Sequence, residues 1–235
     1  MRDLTTMLWK EVAELFGNRR TLRVFLIAVL AMGLLPELGA LRGKATPLAL
    51  WIDLLYAVFA GMITVAQTAP DLVLRERTGR TLEYLLATRL ADSAIFGGKI
   101  LLSALLGYMS SLLAVCVQLV VMNVTGHHTE WTWAYLAEPQ GRLIAFALPA
   151  VLVLYEATVG TFVALRVGDQ RTAYLMTVLG MGILLLPLLL HVVHPHATMA
   201  WLWQAVGIVA LVDAVLVTIG LRLFRRESLV LYLQE

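Results

Sequence analysis

The chain has 235 residues, of which 60% are hydrophobic and 14% are charged, and its mean hydropathy is +0.82. Soluble domains are about 45–50% apolar and about 25% charged, so this composition excludes a water-soluble domain and a disordered chain. The net charge is only +2, which argues against a nucleic-acid partner, because basic residues would have to face phosphates over a wide surface. Length and composition therefore predict one integral membrane domain, with membrane lipid as its surroundings.

Six apolar runs follow one another along the chain, and each is predicted to be a membrane-spanning helix. A span needs about 20 mostly apolar residues, because the hydrocarbon core is about 30 Å thick. The predicted spans are residues 24–41, 48–74, 95–124, 143–165, 173–193 and 200–223. The first is the weakest, because Pro36 and Glu37 interrupt it, and we expect a kink or a fold-back at its outer end. The predicted fold class is an all-α membrane protein with six transmembrane helices.

The basic residues predict the orientation of these spans. Fifteen of the 18 lysines and arginines fall on one side, in the N-terminal segment, in the loops after the second and fourth spans, and at the C-terminal end. The other side has only Arg42, Lys44 and Arg142. Cytoplasmic loops retain basic residues during insertion, so both termini are predicted to be cytoplasmic. Five of the six tryptophans fall at the predicted outer ends, where indole rings are favoured.

Residues 1–23 precede the first span and are predicted to form a cytoplasmic amphipathic helix in the inner membrane interface. Its apolar residues recur at steps of three and four, at Leu4, Leu8, Val12, Leu15 and Phe16. The alternative is a segment beside the membrane that is held by charge alone.

Residues 75–94 form the most informative loop, on the cytoplasmic side; residues 125–142 form the longest outer loop. Gly79 is expected to end the helix that leaves the membrane, and Thr81 to cap a short helix within the loop. Glu83 lies in the first turn of that helix, where a negative charge suits the helix dipole. The apolar face of the short helix consists of Leu82, Leu85 and Leu86. This apolar face must be buried, either against the membrane domain itself or in a groove on a partner protein.

Residues 76–88, together with Gly98-Lys99 before the third span, resemble the ABC-2 type permease family. In that family a stretch of the form E-R-x-x-G-T-L-E-x-L-L-x-T-P follows the second span, and a G-K pair precedes the third. The start of the chain is similar too, with Trp9-Lys10-Glu11 followed by basic residues. This sequence departs from the pattern at Arg80, which is an extra residue, and at Arg89, where proline is common.

The resemblance implies a permease subunit of an ATP-binding-cassette transporter, working as an exporter in a prokaryotic cytoplasmic membrane. Such permeases form the path as dimers, with a second copy or a related permease, and dock on separate ATPase subunits that bind ATP and Mg²⁺. The short helix of the first cytoplasmic loop is the coupling element that contacts the ATPase. The resemblance assigns this coupling to Glu76, Gly79, Thr81, Leu82, Glu83, Leu85 and Leu86, with Asp169 in a second cytoplasmic contact.

The chain itself has no phosphate-binding P-loop. That motif needs G-x-x-x-x-G-K-[ST], whereas Gly97-Gly98-Lys99-Ile100 has the wrong spacing and no hydroxyl residue after the lysine. We therefore expect no enzyme activity and no cofactor in this chain, and ATP hydrolysis in a partner subunit.

Acidic residues inside the predicted spans are candidates for the substrate path. Insertion scales put a charge in the middle of a span at about 2.5–3.5 kcal/mol, so such residues usually face the protein interior. The candidates are Asp53, Glu156 and Asp213. Their structural alternative is a hydrogen bond to a serine, threonine or tyrosine of a neighbouring span. The rival functions are a proton-coupled secondary transporter that uses Glu156 and Asp213, and a membrane scaffold that transports nothing.

Metal and thiol chemistry have little support in the sequence. The five histidines cluster on the predicted outer side, and no cysteine or acid lies beside His191, His194 and His196, so no metal site is predicted. Cys116 is the single cysteine, which excludes an internal disulfide, and its apolar neighbours predict a small buried residue.

Overall fold

The computed structural model describes Thr5, Trp9, Lys10 and Val12, and residues 19–40, 47–79, 92–125, 136–192 and 199–223. In these ranges the ordered secondary structure is helical, without a strand. The predicted all-α class is therefore confirmed for this part of the chain.

The helices follow one another in the order that the apolar runs predict. They are α1 (Arg19–Ala40), α2 (Pro47–Thr78), α3 (Asp92–Thr125), α4 (Pro139–Arg142), a π-helical segment (Leu143–Ala147), α5 (Leu148–Arg166), α6 (Gln170–Val192) and α7 (Met199–Leu223). Each predicted span overlaps one of these elements over nearly its whole length. The backbone of α1 stays helical through Pro36 and Glu37, so these two residues do not end the helix.

Among the residues that the structure describes, four helices are long and apolar enough to cross a membrane, which indicates a membrane protein. Their apolar parts are Leu55–Arg77, Ala94–Val121, Leu143–Arg166 and Ala200–Gly220. The apolar stretches in α1 and α6, Thr21–Leu35 and Gln170–Leu186, are shorter.

Helix α2 is the centre of the bundle. It packs against α1, α3, α5 and α6, and 78% of its most apolar window is buried. The corresponding share for α7 is 22%, and α7 packs against α5 and α3. Side chains of α2 therefore meet protein, whereas most of α7 faces outward.

Helices α2 and α3 approach most closely where each has a glycine. A Cβ added at Gly107 would lie 2.9 Å from the carbonyl oxygen of Gly61 and would meet the side chain of Val65. One turn along, the hydroxyls of Thr64 and Ser110 lie 2.9 Å apart. Small residues that allow backbones to approach, with hydroxyls between helices, are the contacts typical of packed membrane helices.

The π-helical segment between α4 and α5 has a local cause in the sequence. Pro149 follows it closely and has no N–H to donate to the carbonyl of Ala145, four residues earlier. The backbone N–H of Leu148 instead donates to the carbonyl oxygen of Leu143, five residues earlier. The wider turn thus carries the chain into α5 without a break.

One end of the bundle collects the basic residues, and we call it the basic end. The end of α2, the start of α3 and the N-terminal segment meet there through charged side chains. Phe96 of α3 packs edge-on against Phe162 of α5, with ring centroids 5.6 Å apart, and both rings lie beside Gly220 of α7. Basic residues near this end are Lys10, Arg19, Arg23, Arg75, Arg77, Lys99, Arg166 and Arg171.

The prediction for Cys116 is wrong, because its side chain is exposed. It shares the outer face of α3 with Leu113 and Val120, which are exposed as well. In a membrane protein such a face is apolar without being buried in protein, so hydropathy alone does not distinguish the two surroundings.

The contact between α2 and α3 gives a test of the packing. We expect Gly107→Ala to destabilise the protein by about 1–3 kcal/mol, because the new methyl group meets the backbone of α2 and neither helix can move away cheaply. The matched control is Gly207→Ala on α7, where a Cβ would meet nothing within 4 Å. Alanine is the better helix former, so the control should keep or raise the thermal unfolding midpoint in detergent. Equal midpoints for the two variants would contradict the close approach.

Candidate functional site

Three charged side chains from separate parts of the chain meet at the basic end. Glu76 of α2 pairs with Lys99 of α3, with 2.8 Å between Oε2 and Nζ, and with Lys10 of the N-terminal segment, with 2.9 Å between Oε1 and Nζ. Lys99 also donates to the carbonyl oxygen of Leu72, at 2.9 Å. We call Glu76, Lys99 and Lys10 the ion cluster. It joins the N-terminal segment, α2 and α3.

The ion cluster is buried at its centre and open at one edge. The side chains of Glu76 and Lys99 are 5% and 2% exposed, whereas that of Lys10 is 37% exposed. Charges that have left water need good geometry and additional hydrogen bonds, and the contact from Lys99 to Leu72 supplies one. Water screens the pair with Lys10 more strongly, so that pair contributes less to stability.

The ion cluster lies beside both attachment points of the loop between α2 and α3. Helix α2 ends at Thr78, and the N–H of Gly79 donates to the carbonyl oxygen of Arg75 at 2.9 Å. The prediction that Gly79 ends this helix is confirmed. Lys99 lies about two turns after Asp92, where α3 begins. A displacement of the loop would therefore act on two helices that one buried ion pair holds together.

The residues assigned to coupling by resemblance are described only in part. Glu76 is buried in the ion cluster, so its carboxylate contacts the chain's own lysines, and Gly79 is exposed at the end of α2. Outside the described residues lie Thr81, Leu82, Glu83, Leu85 and Leu86. The same holds for most of the predicted amphipathic helix before α1.

Asp169 lies in the short connection between α5 and α6 and caps α6. Its carboxylate accepts hydrogen bonds from the backbone N–H of Thr172, at 2.9 Å, and from the Thr172 hydroxyl, at 3.0 Å. Its carbonyl oxygen accepts from the N–H of Ala173 at 3.0 Å, which begins the helix. The hydrogen bonds from Thr172 hold the pKa of the Asp169 carboxyl below its usual value, so the exposed turn carries a negative charge.

A second polar contact ties α6 to α2 at the basic end. The side-chain amide of Gln170 donates to Asp71 Oδ1 at 2.9 Å, and Arg75 pairs with the other carboxylate oxygen of Asp71. The start of α6 is thereby held about one turn from Glu76. The connection with Asp169 and the ion cluster thus belong to one continuous polar layer.

Two buried acids lie deeper, in the middle of α5 and α7. Gly220 of α7 lies beside Phe162 of α5, and Asp213 and Glu156 precede these two residues by about 10 Å at about 1.5 Å per residue, so they share one layer. Helices α5 and α7 pack against each other, and Tyr155 lies within electrostatic range of both carboxyls. Glu156 is fully buried and Asp213 is 2% exposed.

Neither buried acid makes the hydrogen bond that would explain it structurally. All four carboxyl oxygens of Glu156 and Asp213 are without a hydrogen-bond partner among the described residues. The hydroxyl of Thr158, for example, donates to the carbonyl oxygen of Leu154 on its own helix, at 2.9 Å. An unpaired charge in an apolar layer is costly, so these two acids are suited to holding a proton. The third candidate, Asp53, lies in α2, but its side chain is outside the described part.

Sequence reasoning found the members of the ion cluster without finding their contacts. Glu76, Lys99 and Lys10 entered as residues of the family resemblance. One signal was present: a lysine within an apolar helix requires a partner acid, and Glu76 is the acid that ends the preceding apolar helix. Lys10 and Glu76 are 66 residues apart, and no local pattern reports such a contact.

Metal ligation is not suggested by the side chains that the structure describes, because no three of His, Cys, Asp or Glu come together there. A comparison with protein-family models found no match, and neither did a comparison with curated proteins. The family resemblance therefore depends on the residues quoted above.

The central pair of the ion cluster gives a second test. Glu76→Gln leaves the buried ammonium of Lys99 without its counter-charge, so we expect the variant to lose about 3–5 kcal/mol of stability. Adding Lys99→Met removes the orphaned charge and should recover most of that loss. Thermal unfolding in detergent measures both variants.

Glu156→Gln is the matched control, because it makes the same substitution at an equally buried glutamate that has no hydrogen-bond partner among the described residues. Its unfolding midpoint should stay the same or rise. If Glu76→Gln changed the unfolding midpoint no more than Glu156→Gln does, the Glu76–Lys99 pair would not hold α2 and α3 together.

Proposed function

We propose that the chain is the permease subunit of an ATP-binding-cassette transporter, in which six membrane spans form a translocation path as a dimer. The observation that carries this proposal is the position of the ion cluster. The loop that resembles a coupling element starts and ends at the two helices that Glu76 and Lys99 hold together. A displacement of that loop acts at the same time on α3 and on α2, which is the most central helix of the bundle.

The arrangement of the basic residues supports the orientation in this proposal. Lys10 of the N-terminal segment, the end of α2, the start of α3 and the connection with Asp169 lie at the basic end, on which an ATPase would dock. Arg142 belongs to the opposite end, where α4 leads into the π-helical segment. Under the positive-inside rule, the basic end faces the cytoplasm in this proposal, as the sequence predicts for both termini.

In this mechanism ATP and Mg²⁺ bind to separate ATPase subunits. Closure of the ATPase pair displaces the short helix of the loop, and the ion cluster carries the displacement into α2 and α3. Asp169, held by Thr172 at the start of α6, is a second rigid point on the same surface. The proposed direction is export across a prokaryotic cytoplasmic membrane.

Charge reversal in the loop tests the proposal. We expect the tagged chain, extracted from its native membrane in mild detergent, to retain a P-loop ATPase subunit that mass spectrometry identifies. Glu83→Lys should abolish this retention and the associated ATP hydrolysis, because it reverses the charge in the first turn of the predicted coupling helix. Glu138→Lys is the control: it reverses an exposed charge near α4, far from the basic end.

The control variant should bind the ATPase as the native chain does. Failure of the native chain itself to retain any P-loop ATPase would contradict the proposal. Retention that is equal in Glu83→Lys and Glu138→Lys would remove the loop from the coupling mechanism.

A second candidate function is a proton-coupled carrier, which the paired burial of Glu156 and Asp213 favours. Two carboxyls in one layer, without hydrogen-bond partners among the described residues, are the arrangement that a proton relay through a membrane needs. This function would require no ATPase.

Proton flux in vesicles separates the two functions. The chain reconstituted alone, with a pH-sensitive dye inside and an imposed pH gradient, should show no proton entry beyond that of empty vesicles if the ATP-driven proposal is correct. Flux that disappears in Glu156→Gln and Asp213→Asn, but persists in Glu138→Gln, would establish the carrier instead.

A further inference from the structure

A narrow cavity of about 300 Å³ lies between the N-terminal segment, α1, α2 and α3. It is lined at one end by Val12 and Thr21 and extends along α3 from Leu102 to Leu113. These two leucines are separated by three turns, or roughly 16 Å along the helix axis. The cavity opens toward the outside of the bundle, where Leu22 and Leu113 are exposed.

The cavity wall is apolar although several threonines contribute to it. The hydroxyl of Thr64 lies 2.8 Å from the carbonyl oxygen of Ala60, and that of Thr68 donates to the carbonyl oxygen of Thr64, at 2.9 Å. Both hydroxyls are thus satisfied on α2 itself. The wall offers no polar surface to a ligand, so the occupant is a hydrocarbon.

The dimensions of the cavity favour a single hydrocarbon chain over an α-helix as its occupant. A volume of about 300 Å³ spread over roughly 16 Å suits a single extended chain, whereas an α-helix is about 10 Å across. Its length matches one leaflet of a bilayer, which is half of the hydrocarbon core, or about 15 Å. An acyl chain of one leaflet therefore fits in length and width.

Charged residues beside the cavity wall in the sequence select the headgroup. Arg19 and Arg23 are exposed, lie one turn apart at the start of α1, and flank Thr21 and Leu22 of the cavity wall. A hydrocarbon chain gains little by leaving lipid for an equally apolar cavity, so the preference must come from the headgroup. Arginines at the membrane surface favour an anionic headgroup.

We propose that this cavity is a binding site for one acyl chain of an anionic phospholipid, whose headgroup lies against Arg19 and Arg23. Val12 of the cavity wall follows Lys10 of the ion cluster by two residues, and it also packs against Leu72 and Leu102. A bound chain therefore supports the N-terminal segment on α2 and α3. The site depends on embedding in a membrane and does not require an ATPase.

Photo-crosslinking tests the acyl-chain site. The full chain is reconstituted in nanodiscs with phosphatidylglycerol or phosphatidylcholine that carries a diazirine in the middle of one acyl chain. We expect adducts on residues 102–113 of α3, several-fold more with phosphatidylglycerol. Met109→Trp fills the cavity and should reduce them at least fivefold.

The matched control is Leu105→Trp. Leu105 and Met109 are both 45% exposed and lie one turn apart on α3, but only Met109 lines the cavity. The control should leave the adducts unchanged. If the two variants gave equal labelling, the lipid would be part of the general bilayer surroundings and the site would be refuted.

The headgroup has its own test. Arg19→Gln and Arg23→Gln should each lower the preference for phosphatidylglycerol about fivefold, which corresponds to the loss of one basic residue at the membrane surface. Arg171→Gln, at an exposed arginine of α6, should leave the preference unchanged. An equal effect of all three substitutions would refute the headgroup assignment.

The alternative occupant is a second copy of the chain. Photo-methionine in place of the methionines reports it, because Met109 would then crosslink to another copy rather than to lipid. Crosslinks between copies at Met109 would overturn the proposal, whereas lipid adducts there support it.

Discussion

The buried pair of Glu76 and Lys99 is the contact that determines how the basic end of this bundle is built. Two opposite charges with almost no access to water can remain only while their geometry is kept, and that geometry fixes α2 against α3. Lys10 extends the same contact to the N-terminal segment. Asp71, about one turn away, extends the polar layer to α6 through Gln170. The loop between α2 and α3 is thus attached to a rigid base.

The remaining polar groups are arranged by depth. Ions that pair with one another lie at the basic end, whereas Glu156 and Asp213, in the middle of α5 and α7, have no such partner among the described residues. At about the depth of these two acids, α2 and α3 contact each other through small residues and hydroxyls, as at Gly61, Gly107 and Thr64. The bundle therefore combines a fixed surface at one end with an interior layer in which the protonated, uncharged form of both acids is favoured.

Hydropathy predicted the helices well, because each apolar run is long compared with the uncertainty at its ends. Turn chemistry predicted the end of α2 at Gly79 for the same kind of local reason. Burial was harder to predict from the sequence, because Cys116 and the buried residues of α3 have equally apolar neighbours in sequence. Only the packing of the helices distinguishes them. The ion pair of Lys10 and Glu76 could not be predicted either, because contacts between distant segments leave no periodic signal in the sequence.

The π-helical segment before α5 determines where the interior acid points. The extra residue in a π-helical turn rotates the helix that follows by about 100° relative to a regular α-helix, since an α-helix turns by about that angle per residue. Glu156 follows the segment directly on the same helix, so its place inside the bundle depends on the register that Leu143–Ala147 imposes. The segment therefore sets the rotation of α5 relative to α4, and a deletion of one residue there would change that rotation.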